Sequence, residues 1–227
     1  MKDTERRRLE MFIRVREFGV PRSAQFPSTS FAGEQFTILD DVINALETHT
    51  SAQESGKGAV RESTSSAAAA LDEVMRDLEA LNRTARAMAM TTPGLANKFR
   101  VPHNQSNQAV LAVARAQLTD AQPLKAEFIK RGMPADFLED LQADIEEMEQ
   151  SIARKAQGAE TRTAATAGID DEIDRGMKAV RELDPIMRNT FANDPATLAA
   201  WLGASHVERH QRRAAAQATA TDKQPTS

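Results

Sequence analysis

The sequence has no cysteine, no tyrosine and only 1 tryptophan among its 227 residues. Without cysteine the chain can form no disulfide, no thiolate nucleophile and no cysteine-based zinc or iron–sulfur site. Because phenylalanine is the only other aromatic residue, the core must be built mainly from aliphatic side chains, methionine and alanine. This composition suits helix-on-helix packing, since small and unbranched side chains let two backbones approach each other.

Long apolar runs and a strong charge of one sign are also missing. No stretch approaches the roughly 20 apolar residues that a membrane-spanning helix needs. Arg14 and Arg16 interrupt the apolar segment MFIRVREF, which argues against a secretory signal. The net charge is −4, so the chain as a whole does not attract nucleic acid. We therefore expect neither membrane contact nor nucleic-acid binding.

Apolar residues recur at three- and four-residue spacing through most of the chain, which predicts amphipathic helices. The predicted segments are an N-terminal helix over 1–20, a helical hairpin over 34–92, a kinked connecting helix over 106–131, a second hairpin over 134–192, a short helix over 195–210 and a disordered tail over 214–227. The predicted fold class is all-α: an elongated, antiparallel four-helix-type bundle of two helical hairpins with additional helices, in one domain.

The two hairpins are inferred from places where the apolar stripe fades. The segments around Gly56–Gly58 and Gly158 are rich in Ser, Thr, Ala and Gly, and we predict a turn in each. Alanine favours the alternative of continuous helix, while each glycine costs about 1 kcal/mol relative to alanine. When the sequence is shifted against itself by a fixed number of residues, the two apolar stripes also align, and Leu78 then matches Met177. This alignment leaves open whether the chain is a true duplication.

The segment TTPGLANKFRVPHNQSN, over 91–107, interrupts the helical pattern and has two interpretations. As a site, its polar side chains would converge on an anion or small ligand near a helix N-terminus. Those side chains are Lys98, Arg100, His103, Asn104 and Gln105. If the segment is a connector, the Phe99 side chain would fill the end of the bundle core, and Asn104 or Ser106 would cap the next helix. We favour the connector, because a buried aromatic residue and a helix cap are common in segments that join two helices.

A basic cluster in the first helix, made of Arg6, Arg7 and Arg8, suggests phosphate contact. Glu5 and Glu10 interleave with these arginines, which is typical of a solvated helix face, and we favour that interpretation. The opposite imbalance occurs over 134–150, where acidic residues occur without any cation. We interpret the acidic run as the solvent face of a helix.

The motif HVERH places His206 and His210 four residues apart on one helical face, a spacing that can ligate zinc. No cysteine or nearby carboxylate completes such a site, so we favour a solvated helix end and expect no metal or other cofactor. A di-iron bundle needs Glu-x-x-His, and no histidine here follows a glutamate at that spacing. Hydrolase and dinucleotide-binding motifs are also missing, so we expect no enzyme.

Five segments resemble an uncharacterised family of bacterial all-helical proteins: RVREFG, LNRTARAM, TPGLANKFRVP, PADFLEDLQADI and GMKAVRELD. The resemblance extends to about His206; it implies a bacterial, cytoplasmic protein and transfers no site. The function we expect is non-catalytic, with a structural or protein-interaction role and either a protein partner or self-association. The first alternative is nucleic-acid association through the basic N-terminal helix. The second is anion or small-ligand binding at the 91–107 loop.

Overall fold

A computed structural model describes residues 1–103 and 105–208 of the chain. Helix accounts for 82% of this part, and the part contains no strand. Because helix makes up only about a third of an average globular protein, the all-α class is confirmed. None of the helices over the described residues has an apolar stretch long enough to span a lipid bilayer.

Two of the helices are far longer than the rest. The α-helices are, in chain order, α1 (Asp3–Gly19), α2 (Phe31–Met88), α3 (Leu95–Lys98), α4 (Asn107–Ala121), α5 (Lys125–Ile129), α6 (Phe137–Thr190) and α7 (Pro195–Ala204). Short 3₁₀ turns cover Val20–Arg22 and Gln122–Leu124. Helices α2 and α6 span 58 and 54 residues, several times the average of about 11–12 residues.

The bounds of α2 and α6 contradict the predicted hairpins over 34–92 and 134–192. Helix α2 continues through Gly56–Gly58 and α6 continues through Gly158, so each predicted hairpin is a single helix. Helix α6 also continues past Pro185. The segment over 106–131 divides into α4, a 3₁₀ turn and α5, and the short helix predicted over 195–210 ends at Ala204. The tail over 214–227 lies outside the described residues.

Side chains cap the N-termini of two helices, and one of these caps, at Ser106, is predicted from the sequence. The side chain of Ser106 accepts a hydrogen bond from the Ala109 backbone N–H at the start of α4. The side chain of Asp194 accepts one from the Thr197 backbone N–H, 3.0 Å away, at the start of α7. Such caps satisfy backbone donors that a helix leaves unpaired in its first turn.

The chain divides into two units, and α2 and α6 contribute to both. Unit 1 comprises Met1–Leu46 and Asp170–Ser227, and unit 2 comprises Glu47–Ile169. The core of unit 1 contains α1, the start of α2, the end of α6 and α7, with Phe12, Val15, Leu39 and Trp201 fully buried. The indole Nε1 of Trp201 donates a hydrogen bond to Asp184, 2.9 Å away. This bond satisfies the buried polar end of the largest core side chain.

The core of unit 2 joins α2, α4, α5 and the first part of α6. Its buried members include Val74, Leu78, Leu81, Leu141 and Ile145. The sequence stripe identified the α2 positions correctly. It was less accurate in the second half of the chain: Met177 is only half-buried, and the neighbouring Gly176 is buried instead. A Cβ atom on Gly176 would lie 2.5 Å from the Phe12 ring, so that ring occupies the space beside the glycine.

In unit 2, α2 and α6 run antiparallel and come unusually close. Gln53 donates a hydrogen bond to Thr166, 2.9 Å away, while Gly56 lies opposite Gly158. A Cβ atom on Gly56 would lie 2.8 Å from the Gly158 carbonyl oxygen and 3.0 Å from the Arg162 backbone nitrogen. Both obstacles are backbone atoms, so they cannot rotate away. The glycine is therefore required by the close approach of the two helices.

We expect Gly56→Ala and Gly58→Ala to change stability in opposite directions. Both positions are helical, but a Cβ atom on Gly58 would meet nothing within 4 Å. Gly58→Ala should therefore raise the free energy of unfolding by up to about 1 kcal/mol through helix propensity. Gly56→Ala should lower it by about 1–2 kcal/mol, because overpacking outweighs the same propensity gain. Urea unfolding followed by circular dichroism measures both; equal shifts would contradict the close contact.

Candidate functional site

The backbone of the 91–107 loop is attached to two neighbouring helices of unit 2. The side-chain amide of Asn82, on α2, donates a hydrogen bond to the Phe99 carbonyl, 2.7 Å away. The amide of Gln117, on α4, donates one to the Arg100 carbonyl, 2.9 Å away. Phe99 itself is fully buried and packs edge-on against Phe128, with ring centroids 5.4 Å apart. These contacts are the ones that the connector interpretation requires.

The polar side chains of this loop are placed differently from one another. Lys98 forms an ion pair with Asp120, with Nζ 2.9 Å from the carboxylate oxygen. The side chains of Arg100, His103 and Gln105 are exposed. Asn104 lies outside the described residues. The ligand-binding interpretation of this loop therefore stays a prediction, and the anchored backbone favours the connector.

The three arginines of α1 do not share one environment. Arg6 is exposed, Arg7 pairs with Asp3, and Arg8 is half-buried. Glu5 is buried, and its carboxylate accepts a hydrogen bond from the Lys2 backbone N–H, 2.6 Å away. Burial opposes ionisation of Glu5, yet its contacts with Lys2 prevail and hold its pKa below the usual value. Nucleic-acid binding through this helix stays a prediction, with no contact here that favours it.

Only one residue of the histidine pair, His206, lies within the described residues. His206 is exposed, and its backbone carbonyl accepts a hydrogen bond from the Arg14 guanidinium, 2.6 Å away. His210 lies outside the described residues. Over residues 1–103 and 105–208, no group of three or more His, Asp or Glu side chains is arranged to hold a metal ion.

Unit 1 contains a surface hollow of about 460 Å³, which we call the unit 1 hollow. Its apolar lining includes Val20, Phe26, Pro27 and Phe36. Val20 is 66% exposed although it is apolar, and the rings of Phe26 and Phe36 lie 6.0 Å apart. Hollows of about 300–1,000 Å³ with mostly apolar walls are the usual form of binding sites.

The remaining lining of the unit 1 hollow combines opposite charges with glycine. Arg16 and Asp40 both line it, and the shortest distance between their charged atoms is 3.8 Å, longer than a strong hydrogen bond. A Cβ atom on Gly19 would lie 2.6 Å from the Phe36 ring, so this glycine makes room for the ring. This hollow was not predicted from the sequence. The sequence feature that could have indicated the hollow is Phe26, an aromatic residue in a loop segment close to two glycines.

Two buried oxygen atoms in the described residues have no hydrogen-bond partner, Oδ2 of Asp77 and Oε1 of Gln117. The Gln117 oxygen belongs to the amide that anchors Arg100. Asp77 is different, because its carboxyl group lies within hydrogen-bonding reach of Asp144 on α6. Burial, followed by repulsion from Asp144, raises the pKa of Asp77 from 3.8 to about 6. Asp77 was not predicted from the sequence, although it lies next to Leu78 in the apolar stripe.

Comparison with known proteins gives no match. No protein-family model, curated protein or solved structure is similar to this chain. The resemblance of the five segments to bacterial helical proteins therefore stays a prediction.

Proposed function

We propose that this chain is a non-catalytic helical protein that acts by binding another protein through the unit 1 hollow. The observation that carries the proposal is an apolar hollow beside an exposed valine. Apolar surface left open to water is costly to hydrate, and pockets that accept one anchoring side chain dominate the energetics of many protein interfaces. A cytoplasmic location in a bacterium belongs to the same proposal, and it is supported by the resemblance of the quoted segments.

The lining of the hollow indicates the chemistry of the partner. Phe26 and Phe36 offer an apolar surface for one aliphatic or aromatic side chain. Arg16 and Asp40 present one charge of each sign, so the hollow does not attract a polyanion. An amphipathic segment of a partner protein, with an apolar anchor flanked by polar groups, satisfies both features. This lining favours a protein partner over the nucleic-acid alternative.

We expect Val20→Asp to weaken partner binding by at least about tenfold, because the new charge would have to be desolvated at the contact. The matched control is Met90→Asp, which changes another apolar side chain, 89% exposed, in unit 2. Each variant is immobilised beside the parent, and the proteins retained from a bacterial extract are quantified by mass spectrometry. The proposal requires a protein retained by the parent and by Met90→Asp and depleted for Val20→Asp.

Self-association is tested with the same three proteins by light scattering across a dilution series. An oligomer that Val20→Asp alone dissociates would identify the partner as a second copy of the chain. Equal retention by both variants, together with equal molar mass, would overturn the proposal. Circular dichroism of each variant establishes that it is folded, and we expect no change because both side chains are exposed in the parent.

A further inference from the structure

A pair of carboxyl groups connects α2 and α6 inside unit 2. Asp77 on α2 faces Asp144 on α6, and the apolar side chains of Val74, Leu78 and Leu141 next to them are buried. Oδ2 of Asp77 is shielded from water and has no hydrogen-bond partner. A buried oxygen of this kind carries an energetic cost when the group is charged. A proton shared between the two carboxyl groups would supply the missing donor.

The charged groups around the pair make ionisation still less favourable. Helix α2 contributes Glu73, and α6 contributes Asp140 and, close to Asp144, Glu147. Three cations on α2, α4 and α5 form ion pairs with carboxylates other than Asp77 and Asp144: Arg76 with Glu73, Arg115 with Glu149 and Lys125 with Glu139. Two carboxyl groups at close range cannot both ionise without repelling each other.

We propose that Asp77 and Asp144 form a proton-operated latch between α2 and α6 in unit 2. In the closed state Asp77 is protonated and donates its O–H to the Asp144 carboxylate, so one proton and one negative charge are shared by the pair. Loss of that proton leaves two carboxylates facing each other across the helix contact. The contact between the two helices then loosens locally, and backbone amides near Asp77 open more often.

The direction of the pH dependence follows from proton uptake on folding. The pKa of Asp77 is 3.8 in an unperturbed chain and about 6 in the folded protein. Between these values the folded state binds more protons than the unfolded state, so stability falls as pH rises. From these two values, the unfolding constant should increase about tenfold between about pH 5 and pH 7.5 through this one group. Lowering the pH closes the latch.

The test compares the parent with Asp77→Asn, whose neutral amide can donate to Asp144 at any pH. The matched control is Asp72→Asn, an exposed carboxylate on the same helix. Urea unfolding at the two pH values gives the ratio of unfolding constants for each protein. The ratio should be about tenfold larger for the parent and for Asp72→Asn than for Asp77→Asn. Equal ratios in all three proteins would overturn the latch.

Two further measurements locate the effect and do not depend on the fold of the variant. Hydrogen exchange of the parent, corrected for intrinsic rates, should show amides around Asp77 opening more often at the higher pH. Carbon-13 NMR of the parent's carboxyl groups should show Asp77 titrating well above the value of 3.8 that a free aspartate shows. Titration near that value would refute the proposal. If Asp77→Asn does not fold, the carboxyl titration of the parent decides the question.

Discussion

Replacement of Leu78 by aspartate is expected to lower the free energy of unfolding by at least about 4 kcal/mol. Leu78 is fully buried in the core of unit 2. Removing a buried leucine side chain costs about 2–5 kcal/mol, and the substituted carboxylate adds the cost of an unpaired charge in an apolar site. The neighbouring Asp77 and Asp144 would repel it further. Urea unfolding followed by circular dichroism measures the loss.

Two companion variants separate the causes. Leu78→Ala removes the packing alone and should lose less than Leu78→Asp. Met177→Asp should also lose less, because Met177 is half-buried and its replacement can reach water. A Leu78→Asp protein with the urea midpoint of the parent would show that the α2 stripe is assigned wrongly. Equal losses for Leu78→Asp and Met177→Asp would contradict the difference in burial.

The fold class could be predicted from the sequence, because the apolar stripes have helical spacing and no alternating pattern competes with them. The α2 positions Val74, Leu78 and Leu81 are buried as that spacing predicts. A stripe of this kind records which face of a helix is buried against neighbouring helices. It does not record where a helix ends when the side chains on that face are small.

The hairpin turns were predicted wrongly for that reason. The buried face of α2 continues at the same spacing through Gly56, Ser63 and Ala67. These residues add almost nothing to an apolar pattern, so the stripe fades while the helix continues. Their small size is what lets α6 approach closely, and this tertiary contact outweighs the cost of glycine in a helix. The partner helix cannot be identified from α2 alone.

The candidate sites depended still more on residues distant in sequence. The anchors of the 91–107 loop, Asn82 and Gln117, lie on two other helices. The unit 1 hollow needs Gly19 beside the Phe36 ring. The carboxyl pair requires the register of α2 against α6, which places Asp77 opposite Asp144. In each case the local sequence supplies one half of a contact and the fold supplies the other.

Phe99→Ala should lower the free energy of unfolding by about 3–5 kcal/mol, as aromatic truncations in a core do. The ring is fully buried against Phe128, so its removal leaves a cavity where the loop meets unit 2. Joint replacement of Lys98, Arg100 and His103 by alanine should cost no more than about 1 kcal/mol, because the Lys98 ion pair is partly exposed and such pairs contribute little.

The two variants together distinguish a connector from a binding site. A connector loses stability with Phe99→Ala and keeps both stability and partner binding when its three cationic or polar side chains are removed. A site behaves in the opposite way, since the triple variant would remain folded and lose what it binds. Urea unfolding and retention of partner proteins on the immobilised variant measure the two properties. A folded triple variant that no longer retains a protein held by the parent would make the 91–107 loop the functional centre, because no structural role of those exposed side chains could account for the loss.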